Sequence, residues 1–493
     1  MPSLSRREVL AALAAAGAAP LWLDCKPRGS GTAPGPAAAA ARPIADLHQQ
    51  IRQVVADLER SFAIATAFVE VGGVRRVRID EASRAVDEER TSTLVLAASD
   101  GTSWFEQATL DLSPVGIDEA AAALAARGRG GRARRPARVE TTVPAVRMRL
   151  DPRRTELSSW IARVARLHER TSGLGGSRIV YRAAALEVED RDRIFVGDGR
   201  DWSGRVVRSI ARALFLAWDG ETLLSEEASR AGALGLEAAD IGTGELEAAV
   251  GGALSLLTGR ALSSGERDVV LDPSVAALVV RHGIAGGMLA DDWLGGGAHA
   301  ASLAGKAVAK AAITLRDDPG ASGAFGGRGF DDEGWPAAPA ALVERGVLRG
   351  PLTSRATAAA LGLPRTGHAR RADGVGTATT RPSHLVLAPG TAGGDDLVAS
   401  VKSGFLVESG IAGRGDPRSW RFAVQARRAR EISAGRLTGR SYGPVVVGGS
   451  VAALLEAARA VGDQPQVQAW RDPDPVSVSA PHLLARAWLG RGS

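Results

Sequence analysis

The chain has 493 residues and a single cysteine, Cys25. One thiol can form no intramolecular disulfide and cannot build a cysteine-based zinc cage. Lysine is scarce too. Lys26, Lys306, Lys310 and Lys402 are the only four among 61 basic residues, so arginine carries the formal net charge of +6. An Arg and Ala bias can reflect genome composition, and with 55 acidic residues present the basic pI does not imply nucleic-acid binding. The seven histidines are His48, His168, His282, His299, His368, His384 and His482, and no two have the close spacing of a zinc-binding helix. Serines are plentiful, but no G-x-S-x-G elbow occurs. The length allows two or more domains with proper cores.

The N-terminus reads as an address. Ser5-Arg6-Arg7-Glu8-Val9-Leu10 resembles a twin-arginine export signal, with Val9 at the usual Phe position. The apolar run from Val9 to Leu23 is short for a spanning helix and carries the basic flank of a signal. Cys25 closes the run where a lipidated cysteine would stand, although Trp22, Leu23 and Asp24 are bulkier or more polar than a lipobox prefers. "KPRGSGTAPGPAAAAARP", ending at Pro43, reads as a flexible tether. The expectation is a signal over 1–25, a linker over 26–43, and a periplasmic or lipid-anchored protein exported by the twin-arginine route.

Helical spacing of apolar residues predicts helices in "IADLHQQIRQVVADLERS", "GIDEAAAALAARGRGG", "RTELSSWIARVARLHERT" and from Thr243 to Leu262. Alternation predicts strands in "FAIATAFVEVGGVRRVRID", "TSTLVLAASDGTSWFEQATLDL" and the long stretch between Arg178 and Arg230. The run from Arg127 to Arg138 holds six arginines but no aromatic for base stacking, and reads as a solvated loop rather than a nucleic-acid site. The expected class is α+β: an α+β domain over 44–264, then a β-rich domain over 265–493. "FGGRG", Phe325 to Gly329, reads as a hairpin loop rather than a phosphate cradle, since no strand-to-helix junction surrounds it.

Several segments in order resemble one family. "VVLDPSVAALVV" is followed by a glycine-rich helix, then "RDDPGASGAFGGRGFDDEG", "TATTRPSHLVLAPG", "DDLVASVKSGFLVES", "GRSYGPVVVGGSVAALLEAARAVGD" and "PVSVSAPHLLARAWLG". Together they resemble the TldD/PmbA family, also called modulator of DNA gyrase, from roughly residue 45 to 490. The resemblance implies an α+β first domain and a β-rich second domain with the metal helix inserted at its start. It also implies dimers, with a catalytic kind pairing with a non-catalytic kind, and extended peptides as substrates.

Catalytic members carry H-E-x-x-x-H on that helix, with two imidazoles on zinc, the Glu as general base, and a Cys near the C-terminus as third ligand. Histidines five apart share a face only if the helix is locally distorted. In one alignment Arg281 stands at the first His, His282 at the Glu and Gly286 at the second His. Shifted by one, His282 takes the first His, Gly283 the Glu and Gly287 the second His. Either way the base and at least one imidazole are lost, and "DQPQVQAWRDPDPVSVS" contains no Cys. Arg281 would set a permanent cation where Zn²⁺ should sit. The glycines and Arg281 suggest an open, basic spot able to receive a peptide carboxylate.

The leading expectation is therefore a non-catalytic homologue that binds no cofactor. It would act as a partner subunit or peptide-binding protein, as a homodimer or a heterodimer with a relative, with no nucleic-acid partner and membrane contact only through Cys25. The alternative is an active metallopeptidase with a rearranged metal site of His282, Asp292 and His299.

Overall fold

The computed structural model describes residues 43–128, 139–143, 147–221, 223–257, 260–310, 313–471 and 474–492. Arg6, Arg7, Cys25, the tether and most of the arginine-rich run lie outside the described residues.

The first half is built on long antiparallel strands: β1 (Ile64–Asp80), β2 (Arg84–Ser99), β3 (Trp104–Thr109), β5 (Ile179–Gly197) and β6 (Arg200–Trp218). Their order is β3-β2-β1-β5-β6. The far edge of β6 is shared by β4 (Val139–Val143), which runs parallel, and β7 (Leu223–Gly232), which runs antiparallel. Four helices supply the apolar faces that this sheet needs. Helix α1 (Ile44–Leu58) turns Leu47, Ile51, Val55 and Leu58 inward at helical spacing. Helix α2 (Pro114–Arg127) starts at Ser113, whose hydroxyl accepts from Gly116 N at 3.1 Å. These two cover the sheet around Val69, Leu94 and Leu96. Helices α3 (Leu157–Thr171) and α4 (Thr243–Leu256) pack Trp160, Val164 and Leu246 against Val77, Leu186 and Phe215. Each such fully buried side chain contributes roughly 1.5–3 kcal/mol.

Helix α4 is shorter than its sequence pattern predicts, ending at Leu256 rather than Leu262. A distant contact pins its last turn. The Ser255 hydroxyl donates to Gly252 O at 2.8 Å and accepts from the Arg428 guanidinium at 2.6 Å.

The second half holds two sheets. One contains β8 (Gly265–Leu271), β15 (Ser403–Asp416), β16 (Arg421–Ser433), β17 (Arg436–Tyr442), β18 (Val445–Ser450), β19 (Ala460–Val461) and β22 (Leu483–Arg491). Its pairings close into a ring, β15-β8-β22-β18-β16 and back to β15, which is a small barrel. The other runs β11-β10-β9-β14-β21-β20, from β9 (Leu315–Asp317), β10 (Ala340–Glu344), β11 (Val347–Leu348), β14 (His384–Leu387), β20 (Gln466–Trp470) and β21 (Val476–Ala480). A separate hairpin pairs β12 (Ala369–Arg371) with β13 (Ala378–Thr380). The chain is thus mixed α+β, as its sequence predicts.

The FDDEG stretch ties the halves together. Arg193 on β5 donates to Phe330 O at 2.8 Å and forms an ion pair with Asp332, both side chains being buried. Asp331 accepts from the backbone N–H groups of Glu333 and Trp335 at 3.0 and 2.7 Å. Gly334 sits at φ +71, and a Cβ there would stand 2.2 Å from the Phe195 ring, so only glycine fits. Trp335 lies between the guanidinium groups of Arg200 and Arg365, at 4.7 and 4.4 Å. The motif is a clasp onto the first sheet. "FGGRG" beside it is loop backbone, with Gly326 so close to Ser383 O that a Cβ would stand 1.9 Å away.

Candidate functional site

The second-half helix begins at Asp272. Its carboxylate accepts from Val275 N at 2.8 Å, capping helix α5 (Pro273–Leu278), and from Ser409 N at 2.9 Å. Burial pushes this carboxyl above its usual range, against its hydrogen bonds from Ser274, Val275 and Ser409. Ser409 has φ +60, and the pairing of β15 with β16 shifts register between Gly410 and Ala412. The bulge lets β15 bend along the helix.

From Val279 to Ile284 the helix widens into a π turn. Residues five apart then lie on one side, the distortion that an H-E-x-x-x-H motif requires. Arg281 and His282 stand on this π turn, and Gly286 in the short 3-10 turn that follows it. Arg281 is half-buried, with its guanidinium 4.8 Å above the Trp470 ring. A Cβ at Gly286 would meet only Arg281 O, at 3.7 Å, so this position opens onto space. Gly283 and Gly287 instead face the barrel. A Cβ at 287 would stand 2.4 Å from the Trp420 indole, and one at 283 would already touch Phe422 and Val451. The alignment that sets Arg281, His282 and Gly286 at the motif positions is the one this geometry accommodates.

His282 lies against β15. A Cβ on Gly413 would come within 2.6 Å of its ring, and one on Gly415 within 1.9 Å of its carbonyl. Burial, with the neighbouring Arg281 cation, lowers its pKa to about 4, so it is neutral imidazole at pH 7.

The structure does not bring His282, Asp292 and His299 together as ligands: among the described residues no group of three His, Cys, Asp or Glu side chains is placed to hold a metal ion. Short helix α6 (Ala290–Leu294) follows the π turn. There Asp291 binds Thr380 through that residue's N–H, at 2.7 Å, and its hydroxyl. Asp292 is half-buried, its carboxyl pushed up by burial and by Asp291, against Arg381. His299 is exposed, and its backbone N–H donates to Pro417 O at 3.2 Å. The donor set does not fit zinc, which needs three or four deprotonated ligands acting together.

The expected open, basic spot is also changed. Trp470, which the sequence pattern did not single out, caps Arg281. Arg471 beside it pairs with Glu187 of β5 at 2.8 Å, and Glu187 accepts from Arg76 at 2.6 Å. The segment where the family's third ligand would lie is thus fastened to the first sheet by an ion-pair chain. The tryptophan was visible in the sequence, but its partner is too distant in the chain to infer.

Residues 264–488 match the PmbA/TldA metallopeptidase C-terminal domain. A metalloprotease of Methanothermobacter thermautotrophicus is 32% identical over 210 residues, which is 43% of this chain and 46% of that protein. A metalloprotease of Methanocaldococcus jannaschii is 30% identical over 186 residues, 38% of this chain and 41% of that one. The chain therefore spans under half the length of these curated relatives. Two solved structures share the fold. A protein of Bacteroides thetaiotaomicron described as a modulator of DNA gyrase aligns with TM-score 0.72 at 17% identity, over 90% of this chain and 98% of its own. TldE from Thermococcus kodakarensis aligns with TM-score 0.71 at 16% identity, over 90% and 100%. The second half of the chain thus matches the PmbA/TldA metallopeptidase C-terminal domain, and the chain as a whole shares the fold of these two structures.

Proposed function

We propose that this chain is a non-catalytic TldD/PmbA-type subunit, assembling as a dimer with itself or with a relative and holding extended peptide rather than cutting it. One observation carries the reading: Arg281 stacks on Trp470 where catalytic relatives need an imidazole facing a third ligand. No carboxylate stands at the general-base position, which His282 occupies as neutral imidazole. The fold shared with TldE, over nearly the whole chain, supports a paired assembly. A carboxylate-bearing peptide end suits the Arg281 cation.

Purified protein should hold no stoichiometric zinc and leave unfolded peptides intact, and chelator should leave its thermal midpoint unchanged. Elemental analysis with a cleavage assay, including a His282→Ala control, tests this. Stoichiometric zinc together with cleavage abolished by that substitution would overturn the reading and establish an active, rearranged site around His282.

The localisation belongs to the same proposal: export by the twin-arginine route, to the periplasm or to a lipid anchor at Cys25. Replacing Arg6 and Arg7 by Lys should retain the protein in the cytoplasm, by fractionation. Unchanged localisation of the double variant would sink the export assignment. Cys25→Ala should release any membrane-bound fraction.

A further inference from the structure

Three guanidinium groups crowd the Gly326-Gly327-Arg328 turn. Arg370 on β12 donates to Gly326 O and Arg208 on β6 to Gly327 O, each at 3.3 Å, and Arg328 itself binds the Ser383 hydroxyl. All three side chains are buried, with Arg328 only 5% exposed. Arg208 has a carboxylate partner, Glu189, at 3.2 Å. Among the described residues, Arg328 and Arg370 have no carboxylate in ion-pair contact. The Nε and Nη1 groups of Arg328 and the Nε of Arg370 are sealed from solvent and meet no acceptor.

The carboxylates that act on Arg328 are Asp332, Asp331 and Asp317, and each is turned elsewhere. Asp332 pairs with Arg193 and accepts from Arg371 N at 2.8 Å. Asp331 accepts from the N–H groups of Glu333, Trp335 and Ala369. Asp317 accepts from Ser383 N and His384 N, at 2.7 and 3.0 Å, and faces His368 at 3.3 Å. Arg193 adds a like charge nearby, and burial pushes Arg328 down to about 10, which still leaves a cation at pH 7. A buried cation with unspent N–H groups is costly unless an anion meets them.

We propose that this turn holds a small monovalent anion of the halide class, taken by the unspent N–H groups of Arg328 in the field of Arg370 and Arg208. The backbone decides against phosphate. A phosphate cradle turns several backbone N–H groups on its ligand. Here those of Gly326, Gly327 and Arg328 are spent on Ser477 Oγ, Ala324 O and Pro319 O, at 3.3, 3.0 and 2.8 Å. Only side-chain donors remain, and these suit a compact single charge. Arg208 reaches the turn from the first sheet, so the bound ion strengthens the contact between the two halves of the chain. This site is separate from the Arg281 helix and independent of the catalytic reading.

The test uses the full chain, dialysed at constant ionic strength from gluconate into chloride, bromide or phosphate. The thermal midpoint should rise and saturate with chloride and bromide, and phosphate should do no more than gluconate. Arg328→Lys keeps the charge but loses the planar array of donors, so half-saturation should need about tenfold more chloride. Arg349→Lys, on the surface, should respond like the wild type. Wild-type crystals soaked in bromide should show an anomalous peak within hydrogen-bond reach of Arg328, a readout that needs no variant to fold. Equal midpoints in every salt with no peak at Arg328 would overturn the proposal. A midpoint raised by phosphate alone would refute the halide class. A halide response unchanged in Arg328→Lys, with bromide only elsewhere, would place the anion at a different site and sink this one.

Discussion

Arg193→Met should lower the unfolding free energy by about 3–5 kcal/mol, the cost of stripping one partner from a buried ion pair. Arg193 is 3% exposed and serves both halves of the molecule. It donates to Phe330 O at 2.8 Å, pairs with Asp332, and lies 4.9 and 5.0 Å from the Phe68 and Phe330 rings. Its Nε is 3.3 Å from a Glu70 oxygen. Methionine would fill the volume and keep the ring contacts, but leave the Asp332 carboxylate facing a dry interface. Glu70 would suffer too. Burial already pushes its carboxyl up, and Arg191 and Arg193 are the cations that oppose this. The damage therefore has a pH signature. Protonation of Glu70, which burial already favours, removes one of the stranded charges, so the loss should be smaller at pH 5 than at pH 8. Asp332→Asn in the same background should recover part of it. Urea unfolding of both variants at both pH values measures the effect. A loss below about 1 kcal/mol, typical of an exposed pair, would show that this clasp is not a buried tie.

That clasp also marks where sequence reading stopped. "FDDEG" was legible as a motif and its order among the other segments pointed to the family, but nothing local reveals that Asp332 faces a strand in the other half. The long strands were legible because their alternation is local, and so was the helix start at Asp272-Pro273, since a cap and a following proline act within one turn. The end of α4 was not, because Arg428 fixes it from β16. At the site, the residues standing at the motif positions, Arg281, His282 and Gly286, were countable one by one. The filling of the vacancy was not: Arg281 was expected to stand open, and only the approach of β20 to the helix turns it onto Trp470. The trio of His282, Asp292 and His299 failed for the same kind of reason. Asp291 and Thr380 bind each other across elements, and His299 turns outward.

Between pH 6.5 and 4 the wild-type chain should lose about 2 kcal/mol of stability that a His282→Gln variant does not lose. The unfolded imidazole titrates near 6.5, the folded one at about 4. A base with a depressed folded pKa is stabilising above the unfolded value, and that contribution drains away as pH falls towards the folded one. The full shift would be worth roughly 3 kcal/mol, and partial solvent contact trims it to about 2. Two features hold the ring neutral. Desolvation against Gly413 is the larger, and the adjacent Arg281 cation adds repulsion. Glutamine has no titration in this range, so the difference between the two pH–stability curves isolates the imidazole. Superimposable curves would mean that His282 is solvated and free to protonate. The functional consequence follows from the same physics: near neutral pH, Arg281 and His282 of the helix present one cation and one neutral ring. On the proposed reading that cation is what a peptide carboxylate would meet, and it disfavours a metal ion at the same place.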